Sequence, residues 1–405
     1  MTTEPINTIN IGDELQLTLE SNGDNEEVSG KFQDQNIVTF GGIAGERVTA
    51  KIARIHRSRI EAHVIEVLKG SEHRVKAPCP IFWPCTGCEW QHIKYSHQLA
   101  LKHSIVRKNL NKFPSLSGVL VAETLPSPNV FGYRNHARFT VGRNGNLGFV
   151  NKATKAFVPV SKCLLMHDSI NETLESLQGY CSETSQLSIR YGVNSGSLLI
   201  QPKLSNFEIN VITGQKYYYE TLHGQQFRVG SPSFFQVNTP QAEAMIDIAK
   251  TMLKTTGEEI LVDAYAGVGV FAALLAPFVQ KVFALEESGA AIKDSRENLG
   301  HFANVESLQG RVEDLLPNLA PSPDLVLLDP PRAGCHPRTL QALSNSPPRR
   351  ILYVSCDPET LSRDLAILAA GPFKIEKVQP IDLFPQTHHV ECMVSMFNYE
   401  LEAPV

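Results

Sequence analysis

An open α/β fold of the doubly wound, Rossmann-like kind is predicted for the C-terminal half of this 405-residue chain, on two observations. Four short apolar runs, Ile260 to Val262, Val282 to Leu285, Leu325 to Leu328 and Ile351 to Ser355, each stop at a polar residue: Asp263, Glu286, Asp329 and Cys356. Buried parallel strands read as continuous apolar runs of this kind, and chemistry in such sheets gathers at the carboxyl ends of the strands. The second observation is the glycine-bearing turn Asp263-Ala-Tyr265-Ala-Gly267-Val-Gly269, set between a strand and an apolar helix starting near Val270. Ahead of this half, alternating apolar residues predict a small OB-like β-barrel, then a mixed, mostly β central domain. The expected domains are residues 1–72, 73–228 and 229–405, with the helical segment 91–125 packing on the third.

Hydrophobic content of 42% and charged content of 20% describe an ordinary globular protein with room for several cores. No apolar run reaches membrane-spanning length, and the acidic, polar N-terminus is unlike a signal peptide, so a cytoplasmic protein without membrane contact is expected. Eight cysteines in a long chain of that type point to metal or catalytic thiols rather than disulfides. The net charge of −5 conceals a partition, because residues 71–170 carry 13 Lys and Arg against 4 Asp and Glu. Such a basic block suits a polyanion surface.

The barrel is read from Ile9, Ile11, Leu15, Leu17 and Leu19, then Val48, Ala50 and Ile52, then Ile60, Ala62 and Val64, punctuated by Gly41, Gly42 and Gly45. Lys51, Arg54, His56, Arg57 and Arg59 on its second half would meet phosphates if it binds RNA. Cys79, Cys85 and Cys88 follow in a C-x5-C-x2-C spacing, with Cys163 chosen over Cys181 as the fourth thiol because it ends a polar connection. Four thiolates suit tetrahedral zinc or an iron-sulfur cluster equally. Residues 91–112 read as a basic amphipathic helix. Phe131-Gly-Tyr-Arg-Asn-His-Ala-Arg138 then joins aromatics to Arg134, His136 and Arg138, a combination suited to single-stranded nucleic acid.

In the C-terminal half, Thr239-Pro240 opens a helix to about Lys254, after Ser233-Phe-Phe-Gln-Val-Asn238. The D-x-x-x-G-x-G turn lacks the third glycine of a dinucleotide site, and Glu286 lies where an acidic residue can hold ribose hydroxyls; together they favour S-adenosylmethionine. Asp329-Pro-Pro-Arg332 places two rigid residues between two polar ones at a strand end. Glu391 precedes the last apolar run and is expected on the same rim, whereas Cys392 is expected in the core.

This set resembles the RNA uracil-5-methyltransferase family over nearly the whole chain. The barrel resembles the family's TRAM domain, with Ala44-Gly45-Glu46 where members commonly have Pro-Gly-Glu. The resemblance implies that Cys79, Cys85, Cys88 and Cys163 hold a [4Fe-4S] cluster, zinc being the alternative. It implies that Gln236, Asp263, Tyr265, Gly267, Gly269, Glu286 and Asp329 serve the cofactor S-adenosylmethionine. Phe235, with Phe234 as the alternative stacking ring, Asp329, Arg332 and Arg134 would serve the RNA substrate, and Cys356 and Glu391 would be nucleophile and proton acceptor. The expected protein is then a monomeric enzyme of class EC 2.1.1 acting on 23S rRNA, or alternatively on the T-loop uridine of tRNA. A non-catalytic RNA-binding protein is the reading of another class.

Overall fold

The computed structural model describes residues 9–401, apart from 24, 26, 34 and 207. The chain forms two compact units, one running to Leu101 with Gln386–His388 added, the other comprising Lys102–Pro385 and the segment from His389 onward. Neither residue 72 nor residue 228 divides them. The central sheet belongs to the second unit because polar backbone ties bind it there: Asn135 donates from its backbone to the Val237 carbonyl at 2.9 Å and from its side chain to the Gln236 carbonyl at 3.0 Å.

In the first unit, β1 (Glu14–Asn22), β2 (Glu27–Phe32), β3 (Gln35–Phe40), β4 (Arg47–Ile55) and β5 (Ile60–Lys69) close a barrel in the order β1-β2-β3-β5-β4. Alternation puts Leu17, Leu19, Val48, Ala50, Ile52 and Ala62 inside, as the sequence period requires. Strands β2 and β3 escaped the sequence reading, since polar residues interrupt their alternation. Glu46, fully buried, ties the barrel to the chain beyond it: its carboxylate accepts from Ile43 N at 2.9 Å, Ser71 N at 3.0 Å and Arg74 Nε at 2.6 Å. Burial alone would raise this carboxyl, but those donors hold it below its usual range. The preceding Gly45 has φ +89°, a left-handed position suited to glycine, which accounts for the Gly-Glu pair.

Helix α1 (Phe82–Cys85) is one turn, and α2 (Tyr95–Leu110) is shorter than the expected 91–112. His92 thus falls in the preceding turn, buried beside Phe82 and Trp83, where burial and Arg74 push its imidazole down to about 4. In α2, Lys102 departs from the expected solvated basic face: fully buried, it donates from Nζ to Asp382 at 2.5 Å and to the Phe384 carbonyl at 3.0 Å.

In the second unit, β6 (His136–Val141), β7 (Leu147–Val150), β8 (Phe157–Pro159), β9 (Gln186–Tyr191) and β10 (Leu198–Gln201) make a sheet ordered β10-β9-β6-β7-β8, with helix α3 (Asp168–Leu177) between β8 and β9 in the chain. A hairpin, β11 (Tyr217–Leu222) and β12 (Gln225–Gly230), follows. Helix α4 (Thr239–Leu253), capped by the Asn238 side chain and opened by Pro240, then introduces the doubly wound part.

That part runs β13 (Ile260–Ala264), α5 (Val270–Leu275), β14 (Lys281–Glu286), α6 (Gly289–Leu299), β15 (Val305–Gln309), α7 (Val312–Leu315), β16 (Leu325–Leu328), α8 (Pro337–Asn345), β17 (Arg350–Ser355), α9 (Pro358–Ala369), β18 (Phe373–Ile381) and β19 (Glu391–Asn398). The sheet order is β15-β14-β13-β16-β17-β19-β18, and only β19 runs against its neighbours. All of β16, β17 and β19 is buried, the pattern of strands covered on both faces. The segment at 121–125 adds short parallel bridges from Val121 to Val378 and Leu125 to Ile381, along edge strand β18. Among the described residues, no helix is long and apolar enough to cross a membrane.

Candidate active site

One end of the seven-stranded sheet collects the polar strand ends, and the reversed strand completes the set. Because β19 is antiparallel to β17, its first residue lies where β17 finishes: Ser355 pairs with Cys392, so Cys356 and Glu391 are the next residues at the same end. Residues 35 positions apart in sequence thus become neighbours by register. Cys356 is half-buried. Burial, the nearby Glu391 and Asp329 raise its thiol to about 11, while Arg332 lowers it through its charge and a hydrogen bond. Glu391 is 4% exposed, and burial together with Asp329 holds its carboxyl well above the usual range against the opposing Arg332. Cys392 is fully buried, as the sequence reading has it.

Asp329 follows β16 directly, and burial pushes it up to about 7. Arg332 is exposed at its residue surface but is anchored from behind by α9, the helix that begins two residues after Cys356. Thr360 Oγ1 donates to the Arg332 carbonyl at 3.0 Å, Arg363 donates to the Ala333 carbonyl at 2.9 Å, and the fully buried Asp364 accepts from Cys335 N at 2.7 Å. Tyr353 on β17 donates its hydroxyl to the same Asp364 oxygen at 2.7 Å. Gly334, at φ +78°, is required here: a Cβ would stand 2.6 Å from that carboxylate. Sequence reasoning missed this clamp. Ser362 and Asp364 lie on the buried side of an otherwise amphipathic helix, and buried polar residues on a helix's apolar face are the signal that would have found them.

The glycine turn after β13 contains three left-handed residues, Tyr265 at φ +66°, Gly267 at +57° and Gly269 at +91°. A Cβ on Gly269 would meet Leu299 at 2.8 Å, whereas one on Gly267 would meet nothing within 4 Å. Gly269 therefore permits close packing, and open space lies beside Gly267. Glu286 at the end of β14 accepts from Gly267 N at 2.8 Å and Ser288 N at 2.6 Å. Asp263 lies one residue inside β13 rather than after it, and its Oδ2 accepts from Ala272 N at 2.9 Å. Its Oδ1 is buried with no hydrogen-bond partner, and burial, with Asp329 and Glu286 nearby, raises the carboxyl to about 8. An orphaned buried oxygen, two further carboxylates and the open turn make a set suited to a cationic, hydroxyl-bearing ligand, so these residues fit S-adenosylmethionine. Burial also keeps the Tyr265 phenol protonated.

Gln236 is half-buried in the segment before α4. The adjacent aromatics correct one expectation: Phe235 is 6% exposed, with its ring against Tyr218 and Phe227, while Phe234 is 69% exposed. Phe235 is therefore a core residue, and Phe234 presents the free ring. Arg134 bridges to Asn238 and Met166 through its backbone, with its side chain partly buried.

The cysteine expectation fares differently. Among the described residues, no group of three or more His, Cys, Asp or Glu side chains is arranged to hold a metal ion. Cys79, Cys85 and Cys88 are half-buried cysteines of the first unit around α1, and Gln91 links two of their residues, donating to Cys88 Sγ at 3.2 Å and accepting from Cys79 N at 3.2 Å. Cys163 is a half-buried thiol of the second unit, its backbone held by Asn171. Cys181, rejected as a donor on sequence grounds, is fully buried with its thiol on the Leu177 carbonyl.

Residues 321–398 match a family described as tRNA (uracil-5-)-methyltransferase. A protein named an uncharacterized RNA methyltransferase, from Thermosynechococcus vestitus, is 31% identical over 94% of this chain and 97% of its own. Another of that description, from Halalkalibacterium halodurans, is 29% identical over 95% of this chain and 96% of its own. The crystal structure of Pyrococcus abyssi tRNA (uracil-54, C5)-methyltransferase in complex with S-adenosyl-L-homocysteine shares the fold, with a TM-score of 0.76 at 24% identity over 94% of this chain and 99% of that one. A match along nearly the full length, joined to the family segment that carries Asp329, Cys356 and Glu391, leads to one conclusion: the chain belongs to the RNA uracil-5-methyltransferase family.

Proposed function

We propose that this protein methylates C5 of a uridine in RNA, using S-adenosylmethionine, through a covalent adduct between Cys356 and C6 of the base. The observation that carries this reading is the register pairing that brings Cys356 and Glu391 to one end of the sheet beside Asp329 and Arg332. Uracil C5 is a weak nucleophile, so a thiolate must first add at C6, pushing the electron pair toward C5 and O4. The thiol proton has to leave for that step, and Arg332 favours the thiolate. S-adenosylmethionine, when bound, supplies an electrophilic methyl group on a positively charged sulfonium. After C5 gains the methyl, the Glu391 carboxylate takes the C5 proton, the C6–S bond breaks, and Cys356 departs as thiolate.

Free Glu391 and Cys356 both favour their protonated forms, first because burial opposes ionisation and then because Asp329 and Glu391 share the rim with the Arg332 guanidinium. A cationic ligand on this rim would favour the ionised carboxylates, coupling the readiness of the base to cofactor binding. Asp263, Glu286 and the turn at Gly267 and Gly269 would hold the cofactor, with Tyr265 and Gln236 beside them. Asp329 and Arg332 would orient the base edge, Phe234 would stack on an extruded base, and Arg134 would contact the RNA.

Ribosomal RNA is the favoured target, from the combination of the barrel with the four thiols; a tRNA target is supported by the description of the matching family. Family resemblance supports a [4Fe-4S] cluster on Cys79, Cys85, Cys88 and Cys163, with zinc the alternative that the same soft donors would take. Anaerobic purification followed by iron, sulfide and zinc analysis tests that assignment without reference to activity. For the reaction, nucleoside mass spectrometry of unmodified rRNA and tRNA incubated with protein and S-adenosylmethionine is decisive. Appearance of 5-methyluridine in one fraction is expected; a methylated cytosine or adenine would overturn the mechanism.

A further inference from the structure

On the central sheet, β6 and β9 pair so that His136 stands opposite Arg190 and Arg138 opposite Ser188. Cross-strand partners and residues two apart share a face, so these four lie together, while Ala137, Phe139, Leu187 and Ile189 are buried on the other face. Arg134 joins them two residues before His136. Every bond that satisfies these arginines goes to a neutral group. Arg190, 8% exposed, donates to the Ser233 carbonyl at 2.6 Å, and Arg138 donates to the Gln186 side chain. Among the described residues, no carboxylate pairs with Arg134, Arg138 or Arg190, and the Nε atoms of Arg134 and Arg190 are buried without a hydrogen-bond partner.

Arg190, nine-tenths buried and without a counter-ion among the described residues, is costly unless an anion completes it, and the partly buried Arg134 and exposed Arg138 stand beside it with their charges also unmatched. Burial and these same arginines push His136 down to about 3, so it is neutral at physiological pH and offers a hydrogen bond rather than a fourth charge; its Nε2 lies 3.0 Å from Ser188 Oγ. We propose that Arg134, Arg138 and Arg190, with His136 and Ser188, form a binding site for a backbone phosphodiester of the RNA substrate. Planar guanidinium forks match phosphate oxygens, and Arg134, His136 and Arg138 lie in the basic stretch of the chain. Arg190 also holds the Ser233 carbonyl, at the start of the segment that carries Phe234 and Gln236, so an occupied phosphate site would brace that segment. This inference rests on the RNA reading above.

The test measures RNA affinity of the full chain between about 50 and about 200 mM salt, for native protein, Arg138→Gln and Arg190→Met, on whichever transcript the native protein methylates. Each folded variant is expected to lower the slope of log affinity against log salt by about 0.7 and to weaken RNA binding several-fold, and Arg138→Gln to do so with S-adenosylmethionine affinity unchanged. Arg190→Met removes the donor to the Ser233 carbonyl and is read only if its melting curve is cooperative; Arg138→Gln, at the surface, carries the test alone otherwise. A native salt slope in Arg138→Gln overturns the proposal, as does calorimetric binding of inorganic phosphate that the variant abolishes with no change in RNA affinity. If neither native transcript is methylated yet Arg138→Gln still loses slope on both, the phosphate site stands and the methylation reading falls.

Discussion

In the proposed mechanism, replacing Glu391 by Gln isolates the last step. The carboxyl is 4% exposed, and burial with Asp329 keeps it proton-loaded in the free protein, so an amide of nearly equal volume exchanges one neutral group for another. No cavity opens and no buried charge is lost, which limits the stability change to below ~1 kcal/mol. The amide cannot accept the C5 proton, and loss of a positioned base costs on the order of 10²–10⁴ in rate. At about 1.4 kcal/mol per decade this raises the barrier by ~3–6 kcal/mol. The proposed order puts addition by Cys356 and methyl transfer before the proton step, so Glu391→Gln is expected to accumulate a methylated protein–RNA adduct. A denaturing gel with labelled RNA, and intact mass of the RNase-digested complex, would reveal it. Turnover within threefold of native, with no adduct and an unchanged melting temperature, would refute the assignment of Glu391 as base.

Other perturbations probe the supports of this site. Arg332→Gln removes the one group that lowers the Cys356 thiol, so the pH midpoint for its alkylation by iodoacetamide should move upward; an unchanged midpoint would separate Arg332 from the thiol. Lys102→Met breaks a fully buried ion pair and strands Asp382, at a cost of about 3–5 kcal/mol measurable by denaturant unfolding, whereas a loss under ~1 kcal/mol would argue that the pair is dispensable. Glu376 is held at about 2, since the Arg350 and Lys254 contacts outweigh burial. A depressed carboxyl stabilises the fold above its ordinary 4.5 and loses that contribution as pH falls through about 2. Partial exposure limits the effect to ~1–2 kcal/mol. Glu376→Gln should therefore be less stable than native at pH 6 and converge on it near pH 2; a constant gap would contradict the linkage.

The sequence carried the sheet because each core strand is a short apolar run with a polar stop, a pattern local enough to see in one dimension. It carried Cys356 and Asp329 for the same reason. Glu391 was placed on the same rim by its position before an apolar run, and the reversal of β19 supplies the physical reason. Features that depend on three-dimensional pairing were not legible. Lys102 looks like its solvated neighbours until Asp382 is known to face it, and Phe235 cannot be told from Phe234 without the rings of Tyr218 and Phe227. The α9 clamp joins residues about 30 positions apart through backbone carbonyls, which have no signature in residue type.

The reversed strand β19 has a consequence for how this site can change. Side chains on a strand alternate between faces, so a slip of one residue against β17 would turn Glu391 away from Cys356 and send Cys392 to the rim. The chemistry thus depends on a counting rule as much as on residue identity. The ladders run unbroken from Arg350↔Phe397 to Ser355↔Cys392, and the only irregularity of β19 lies on its other side, between Ile375 and Lys377 of β18. The β17 ladder is therefore the side of β19 that must stay in phase, while the β18 side carries an extra residue without turning Glu391 from the rim.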